Sequence, residues 1–582
     1  MRNPLRLSER NLLLLLSLIV GVCAGCAAVI LESVIKFIQD IVQPLFAGKA
    51  TVDWTYFVLP GAGMIASFLI IRYLVHDNIS HGVTKVLVAI SRNDSRIKPH
   101  NMWSSIVTSS LTIGLGGSVG AEAPIVYTGA AIGSNLGQKF HLSRRSVTIL
   151  VGCGAAGAIA GIFKAPLAGV LFTLEILFFN ISMSSMMPLL LSTVSATVVS
   201  YLFLGATPAF ACELTPFSIG NLPFYVVLGL FCGCCSMYFE RMTLWLEDRF
   251  AKFRNPLSKW LVCALGLGLL ISFFPPLFGE GYGTLRTLLT GGDIVLDGKT
   301  PFSSLLSGSW GVPLFFLIVL LLKVFSMTFT NAGGGVGGTF GPTLVVGGLA
   351  GFVLARSFNL GFDLTLPENN FVLVGMAGLM AGVMQAPMTA IFLIAEITGG
   401  YDLFLPLIVC SSFSFLTMRI WEKYSIYTKR IAQSGDLLTH DNDQAAMALM
   451  DIRELIRDKY PVVTPKTTLR EIRPIFEETS SAVFAVVDKK GIFRGMIEMD
   501  SIRRVIFNTD EYDSITARDL LIAPPAVVLD TEKMDAVMQK FDRTDAWRLP
   551  VVTADGRYLG FVSRSRILTS YRSVLKSISL ED

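Results

Sequence analysis

"GGSVGAEAP", residues 116–124, returns as "GGVGGTFGP", residues 334–342, and the reading of this pair decides the fold. Each copy runs from paired glycines through a short irregular stretch to a proline and on into an apolar segment. A second pair follows, "APLAGVLFTLE" (165–175) and "APMTAIFLIAE" (386–396), each with its glutamate ten residues after the alanine. The gap between the motifs is 42 residues in one half (124 to 166) and 45 in the other (342 to 387). Two structural copies of one unit are therefore expected, roughly residues 10–204 and 222–430. Membrane proteins built this way usually relate their halves by a two-fold axis in the membrane plane and hold substrate between them.

The chain has 582 residues, of which 52% are apolar and 16% charged, a composition of membrane rather than soluble proteins. Long apolar runs fall near 10–38, 54–75, 147–179, 187–204, 222–238, 260–278, 312–330, 342–357, 371–397 and 402–419. Several could cross about 30 Å of hydrocarbon as helices, so an all-α multi-span bundle is predicted over residues 1–430. Basic residues ahead of the first run resemble a signal peptide, but more spans follow and an uncleaved first helix is expected. Arg2, Arg6 and Arg10 place that end in the cytoplasm by the positive-inside rule. The nine cysteines, "FCGCC" (231–235) included, show no metal spacing and read as small buried residues. A net charge of +4 is too small to point to nucleic acid.

Glycine permits tight irregular backbone and proline suits a first helical turn, so each glycine motif reads as a helix that begins inside the membrane. Its first N–H groups have no intrahelical acceptor, which is prohibitive in lipid but useful along a polar cavity. With the positive end of the helix dipole added, the place suits a small anion without any fixed cation. Neutral donors also leave the shallow well that conduction requires. Glu122 lies in such a start. One reading makes it a tethered anion that competes with the permeant ion, swings away when protonated or displaced, and so serves as gate and proton carrier. The other makes it a permanent N-terminal cap.

After residue 430 the chain turns polar. A linker is expected at 431–449, and "VVDKKGIFRG" and "VVTADGRYLG" begin 65 residues apart (486 and 551). Each copy reads as strand, amphipathic helix, a hairpin turning on Lys-Gly or Asp-Gly, and a second helix. This resembles a tandem pair of α/β CBS domains, 450–507 and 515–572, with a C-terminal tail at 573–582. The pattern that resemblance carries for an adenine nucleotide reads Gly495, Glu498, Ser501 in one copy and Gly560, Ser563, Arg566 in the other, without the ribose-binding carboxylate. Two readings stay open, a nucleotide site and a structural or dimer-stabilising pair; no other cofactor and no metal is expected.

"GGSVGAEAPIVYTGAAIGSNLG", "AGIFKAPLAGVLFTLE" and "GGTFGPTLVVGG", followed by "YSIYTKR" ahead of the CBS-like pair, resemble the CLC family of chloride channels and proton-coupled chloride transporters over nearly the whole chain. The resemblance implies a homodimer of subunits rich in tilted, partly spanning helices, each with its own chloride path. It implies that Glu122 is the gating glutamate, that the backbone amides of Thr339 and Phe340 face the central anion beside Gly338, and that the Tyr427 hydroxyl donates to it. Gly120, Ala121 and Ala123 flank the gate. The reading is of a multi-pass protein of the cell (plasma or inner) membrane with both termini cytoplasmic.

Departures from the family pattern are equally specific. Its first filter motif appears only as "SHGVTK" (80–85), with His81 for a serine before Gly82 and Thr84 for a proline. His81 either donates to the anion or merely packs while its backbone lines the path. Ala121 replaces an arginine, which weakens the local positive potential. The internal proton glutamate of the coupled members falls at Ile176, after Glu175, and isoleucine carries no proton. Uncoupled chloride flow is the reading drawn; proton exchange through Glu122 and Glu175 is the alternative. For Glu175 and Glu396 a helix-end structural role is the default.

A membrane-embedded enzyme lacks support, with neither HExxH nor a GxSxG elbow and five histidines in all. A cation transporter with a CBS pair would need acidic side chains or helix C-termini at mid-membrane.

Overall fold

A computed structural model describes residues 9–42, 54–92, 94–177, 183–207, 210, 214–290, 308–429, 431, 450–457, 460–479, 483–503, 505–532 and 534–580. Arg2, Arg6 and all of the expected linker except Ile431 lie outside them. The chain forms two units, residues 1–437 and 438–582.

The first unit is helical: α1 (Glu9–Val42), α2 (Trp54–Ile70), α3 (Gly82–Arg92), α4 (Ser104–Gly114), α5 (Glu122–Lys139), α6 (Arg144–Phe163), α7 (Pro166–Ile176), α8 (Met183–Leu204), α9 (Leu222–Ala251), α10 (Pro256–Phe273), α11 (Tyr282–Leu289), α12 (Gly311–Ala332), α13 (Phe340–Phe362), α14 (Glu368–Met384), α15 (Pro387–Thr398) and α16 (Phe404–Trp421). Among the described residues nine helices are long and apolar enough to cross a membrane, and the chain is a multi-pass membrane protein.

Two of the expected apolar runs, 147–179 and 371–397, are each broken in two. Lys164 and Gln385 end α6 and α14 in the left-handed conformation, at φ 57° and 52°. Ala165 and Ala386 then sit at ψ 83° and 72°, outside the helical region, because the proline that follows disfavours it. Hydropathy does not register so short a break. Conversely α4 lies in no long run because of its Ser and Thr. Three of their hydroxyls bond back one turn, Thr108 to Ser104 O at 2.8 Å, Ser109 to Ser105 O at 2.6 Å and Thr112 to Thr108 O at 2.9 Å, so these buried groups are satisfied within the helix.

The halves are held by matched contacts. A methyl on Gly129 of α5 would lie 2.1 Å from Gly154 O of α6, and one on Gly154 1.9 Å from Gly129 O. Gly347 of α13 and Gly375 of α14 stand in the same relation, at 2.4 and 2.3 Å. Small residues let these helices touch backbone to backbone, as membrane helices require when burial in lipid supplies no drive between them.

The second unit holds two three-stranded sheets. In the first, β1 (Val462–Val463) pairs parallel with β2 (Val483–Val487) and β2 antiparallel with β3 (Phe493–Glu498), with α17 (Ile452–Leu455) ahead, α18 (Leu469–Glu478) between β1 and β2, and α19 (Met499–Arg503) after. In the second, β4 (Val528–Leu529), β5 (Arg548–Val552) and β6 (Tyr558–Ser563) repeat the order with α20 (Met534–Thr544) and α21 (Arg564–Leu580); α21 runs on through the expected tail to 580. Both hairpins turn on a left-handed glycine, Gly491 at φ 82° and Gly556 at φ 78°, which the Lys-Gly and Asp-Gly pairs supply. Arg457, ahead of β1 in the first copy, bridges Phe561 in the second, and Ile522, ahead of β4 in the second, bridges Met496 in the first. Each copy thus completes the other's sheet edge.

Candidate functional site

The two glycine motifs meet. Gly120 N donates to Gly338 O at 3.0 Å and Gly338 N to Gly120 O at 2.7 Å, an antiparallel bridge between equivalent residues of the two copies. The surrounding bonds repeat. Gly117 N bonds to Thr112 O and Gly335 N to Thr330 O, at 2.8 and 2.9 Å. Ser118 N reaches Thr330 Oγ1 at 3.1 Å and Val336 N reaches Thr112 Oγ1 at 3.0 Å. Gly116 and Gly334 turn at φ 101° and 100°. Equivalent residues exchanging the same bonds across a join is what a two-fold relation produces.

This join sets the starts of α5 and α13 against each other. Neither start is capped by its own side chain, so amides of their first turns face inward. Glu122, 2% exposed, docks there: its Oε2 accepts from Gly341 N at 3.2 Å and its Oε1 from the hydroxyl of Tyr282. The start of α3 closes on them, since a methyl at Gly82 would lie 2.3 Å from Ala123 O. A cavity of about 170 Å³ leads up to this point, lined by Gly338, Thr339, Tyr427, Ala123, Thr84 and His81 among others. Thr339 Oγ1 stands 3.5 Å from Tyr427 Oη, and both residues are buried. His81, Ala123, Gly338, Thr339 and Tyr427 are thus brought to one cavity, with Gly82 at the start of α3, while Gly120, Ala121, Glu122 and Phe340 do not line it and lie where α5 and α13 begin.

His81 takes a left-handed conformation at φ 56°, and its Nε2 lies 3.7 Å from Glu247 Oε1, a carboxylate that also lines the cavity. Lys85 lines the same cavity, so the carboxylate of Glu247 shares it with a fixed cation.

Glu175 and Glu396 exchange roles between the halves. Glu175 accepts from Met388 N at 3.0 Å, Thr389 N at 2.7 Å and Thr389 Oγ1 at 2.6 Å, at the start of α15. Glu396 accepts from Leu167 N at 3.1 Å and Ala168 N at 2.9 Å, at the start of α7. Each carboxylate caps the other half's helix, where the dipole favours it. Ile176 is buried. Glu396→Ala would leave two amides at the start of α7 without their acceptor; a lower melting temperature in detergent is expected, with a loss also for Glu175→Ala.

Three residues of the site were not singled out from sequence: Tyr282, Glu280 and Lys323. Glu280 Oε1 accepts from Ala121 N at 3.2 Å. Lys323, on α12 and fully buried, donates to Ser118 Oγ at 2.7 Å and to Gly279 O at 3.0 Å. "GEGY" (279–282) sets an acid between two glycines, and a lysine inside "VLLLKVFS" (319–326) is an intramembrane charge that marks a functional place by default.

Two copies of a helical membrane unit, joined where their helix starts meet around a buried carboxylate, define the class: a two-repeat helical membrane bundle. The chain belongs to the CLC family: the model of the family described as voltage gated chloride channel matches residues 62–419, and that of the CBS domain matches 452–508 and 517–573. It is 28% identical to the chloride channel protein CLC-e of Arabidopsis thaliana over 453 residues, 68% of this chain and 62% of that one, so the chain spans less than two thirds of this plant relative. It is 25% identical to the H(+)/Cl(-) exchange transporter ClcA of Salmonella paratyphi A over 450 residues, 75% of this chain and 90% of the relative. Among solved structures a eukaryotic CLC transporter superposes with a TM-score of 0.61 at 17% identity, covering 96% of this chain and 99% of that one, a likeness of fold.

Proposed function

We propose that this chain carries chloride across a cell membrane through a path in which Glu122 acts as gate. One observation carries the reading: a buried carboxylate sits on the Gly341 amide at the join of two helix starts, a place where the dipoles of both favour a negative charge. An anion arriving there takes the same donors, so Glu122 must leave before it binds. Thr339, Phe340 and Tyr427 offer donors along the approach, and Gly82, Gly120, Ala123 and Gly338 leave it clear because no side chain beyond a methyl intrudes. Both termini are read as cytoplasmic, and the family resemblance supports a homodimer with one path per subunit.

Flow uncoupled from protons is the reading we favour. Ile176 carries no proton, and the Glu175 carboxylate is engaged by three donors at the start of α15. The kinship with a relative named as an H(+)/Cl(-) exchange transporter favours the second reading, exchange through Glu122. Proteoliposomes decide between them. A reversal potential that follows chloride alone across a pH gradient supports uncoupled flow; uphill proton movement driven by chloride, and lost in Glu122→Gln, supports exchange. Release of cations instead of chloride defeats both.

For the CBS pair we favour the structural role. Ser501 and Arg566 stand where a ribose-binding carboxylate would be needed, and the reciprocal bridges of Arg457 and Ile522 serve stability without a ligand. Millimolar ATP is expected to leave the melting temperature of the full-length chain unchanged, since only a ligand that binds the folded state raises it.

A further inference from the structure

Glu280 occupies a position that the two-repeat architecture does not require. The start of α13 is held by one carboxylate, Glu122 on Gly341 N, and the start of α5 by another, Glu280 on Ala121 N, each at 3.2 Å. Gly281, at φ 95°, turns the chain between Glu280 and Tyr282. In consequence one short segment serves both places, Glu280 accepting from Ala121 while Tyr282 donates to Glu122. Lys323 fixes this segment through Gly279 O and Ser118 Oγ. Its ammonium donates to these neutral oxygens, and the carboxylate of Glu280 is aimed at the amide.

The bonds shared by the two repeats pair Thr112 with Thr330 and Ser118 with Val336. In that register Lys323 corresponds to Ser105, so neither Lys323 nor the hydroxyl it holds has a like counterpart in the other half. The acid and the lysine are additions on one side of the join, beyond what builds the repeat.

We propose, resting on the reading that these helix starts form the chloride path, that Glu280 is a second tethered carboxylate of that path. It holds the α5 amide as Glu122 holds the α13 amide, and a monovalent anion gains both places only when both carboxylates yield. Ala121 adds no side-chain charge that would neutralise Glu280 at this amide.

Calorimetric chloride titration of the full-length chain in detergent tests this with Glu122→Gln, Glu280→Gln and the double variant. Glutamine still accepts from Ala121 N through its amide oxygen, so a purely structural role survives Glu280→Gln and only the loss of charge registers. Chloride is expected to bind about tenfold more tightly in Glu280→Gln and at least as much so in Glu122→Gln, and the double variant to bind one more chloride per chain than either. Wild-type affinity in Glu280→Gln, beside tighter binding in Glu122→Gln, overturns the proposal and leaves the proposed function standing. No gain in any variant defeats the proposed function and this inference with it. Should Glu280→Gln fail to fold, Glu280→Ala removes the charge as well; the same tightening is expected there, and wild-type affinity overturns the proposal.

Discussion

Glu122→Gln is expected to tighten chloride binding by about tenfold to a hundredfold. The wild-type carboxylate accepts from the Gly341 amide and the Tyr282 hydroxyl, and hydrogen bonds to a charged group contribute about 1.5–3 kcal/mol each. An incoming anion must displace that arrangement, so its measured affinity is lowered by the stability of the docked state, at about 1.4 kcal/mol per factor of ten. Glutamine occupies the same volume but brings no charge to the helix start and competes weakly. Titration calorimetry on the full-length chain reads the change. An affinity equal to wild type would place the anion elsewhere.

Gly338→Val is expected to reduce chloride flux by about a hundredfold, the penalty that misplacing donor groups by about 1 Å can bring. Any side chain at Gly338 begins with a Cβ that would lie 2.7 Å from Ala123 Cβ and 3.1 Å from Ala123 N. The α5 start must retreat, and the pair of bonds between Gly120 and Gly338 goes with it. Stability should fall by only about 1–3 kcal/mol, as overpacking usually costs, so the protein still folds and the loss is one of transport. Gly283→Ala is the control, because a methyl there meets nothing within 4 Å and normal flux is expected. Flux in Gly338→Val equal to that control would show that the join does not shape the path.

The repeat and the helix starts at Glu122 and Phe340 follow from motifs and spacing, because glycine and proline state their backbone demands locally, whereas a common place for His81, Thr339 and Tyr427 was implied only by the family resemblance. The breaks at Lys164 and Gln385 were legible in the same way, from the prolines two residues on, but a hydropathy window averages over them. The bridge between Gly120 and Gly338, and the exchange of caps by Glu175 and Glu396, join residues more than 200 positions apart. They exist only once the halves are set in opposite sense, and no local preference encodes them. Glu280 and Lys323 belong to a third kind: each was visible as a charge in an apolar stretch, yet what it touches comes from another helix.

The central claim is that a chloride-sized ion takes the place of the Glu122 carboxylate on the backbone amides where α5 and α13 begin. Crystals of Glu122→Gln soaked in bromide, measured at the bromine edge, test it most directly. The account predicts an anomalous peak within hydrogen-bonding reach of Gly341 N, in the space the carboxylate holds in the wild-type chain. Bromide bound elsewhere along the chain, with that space empty of it, would contradict the account.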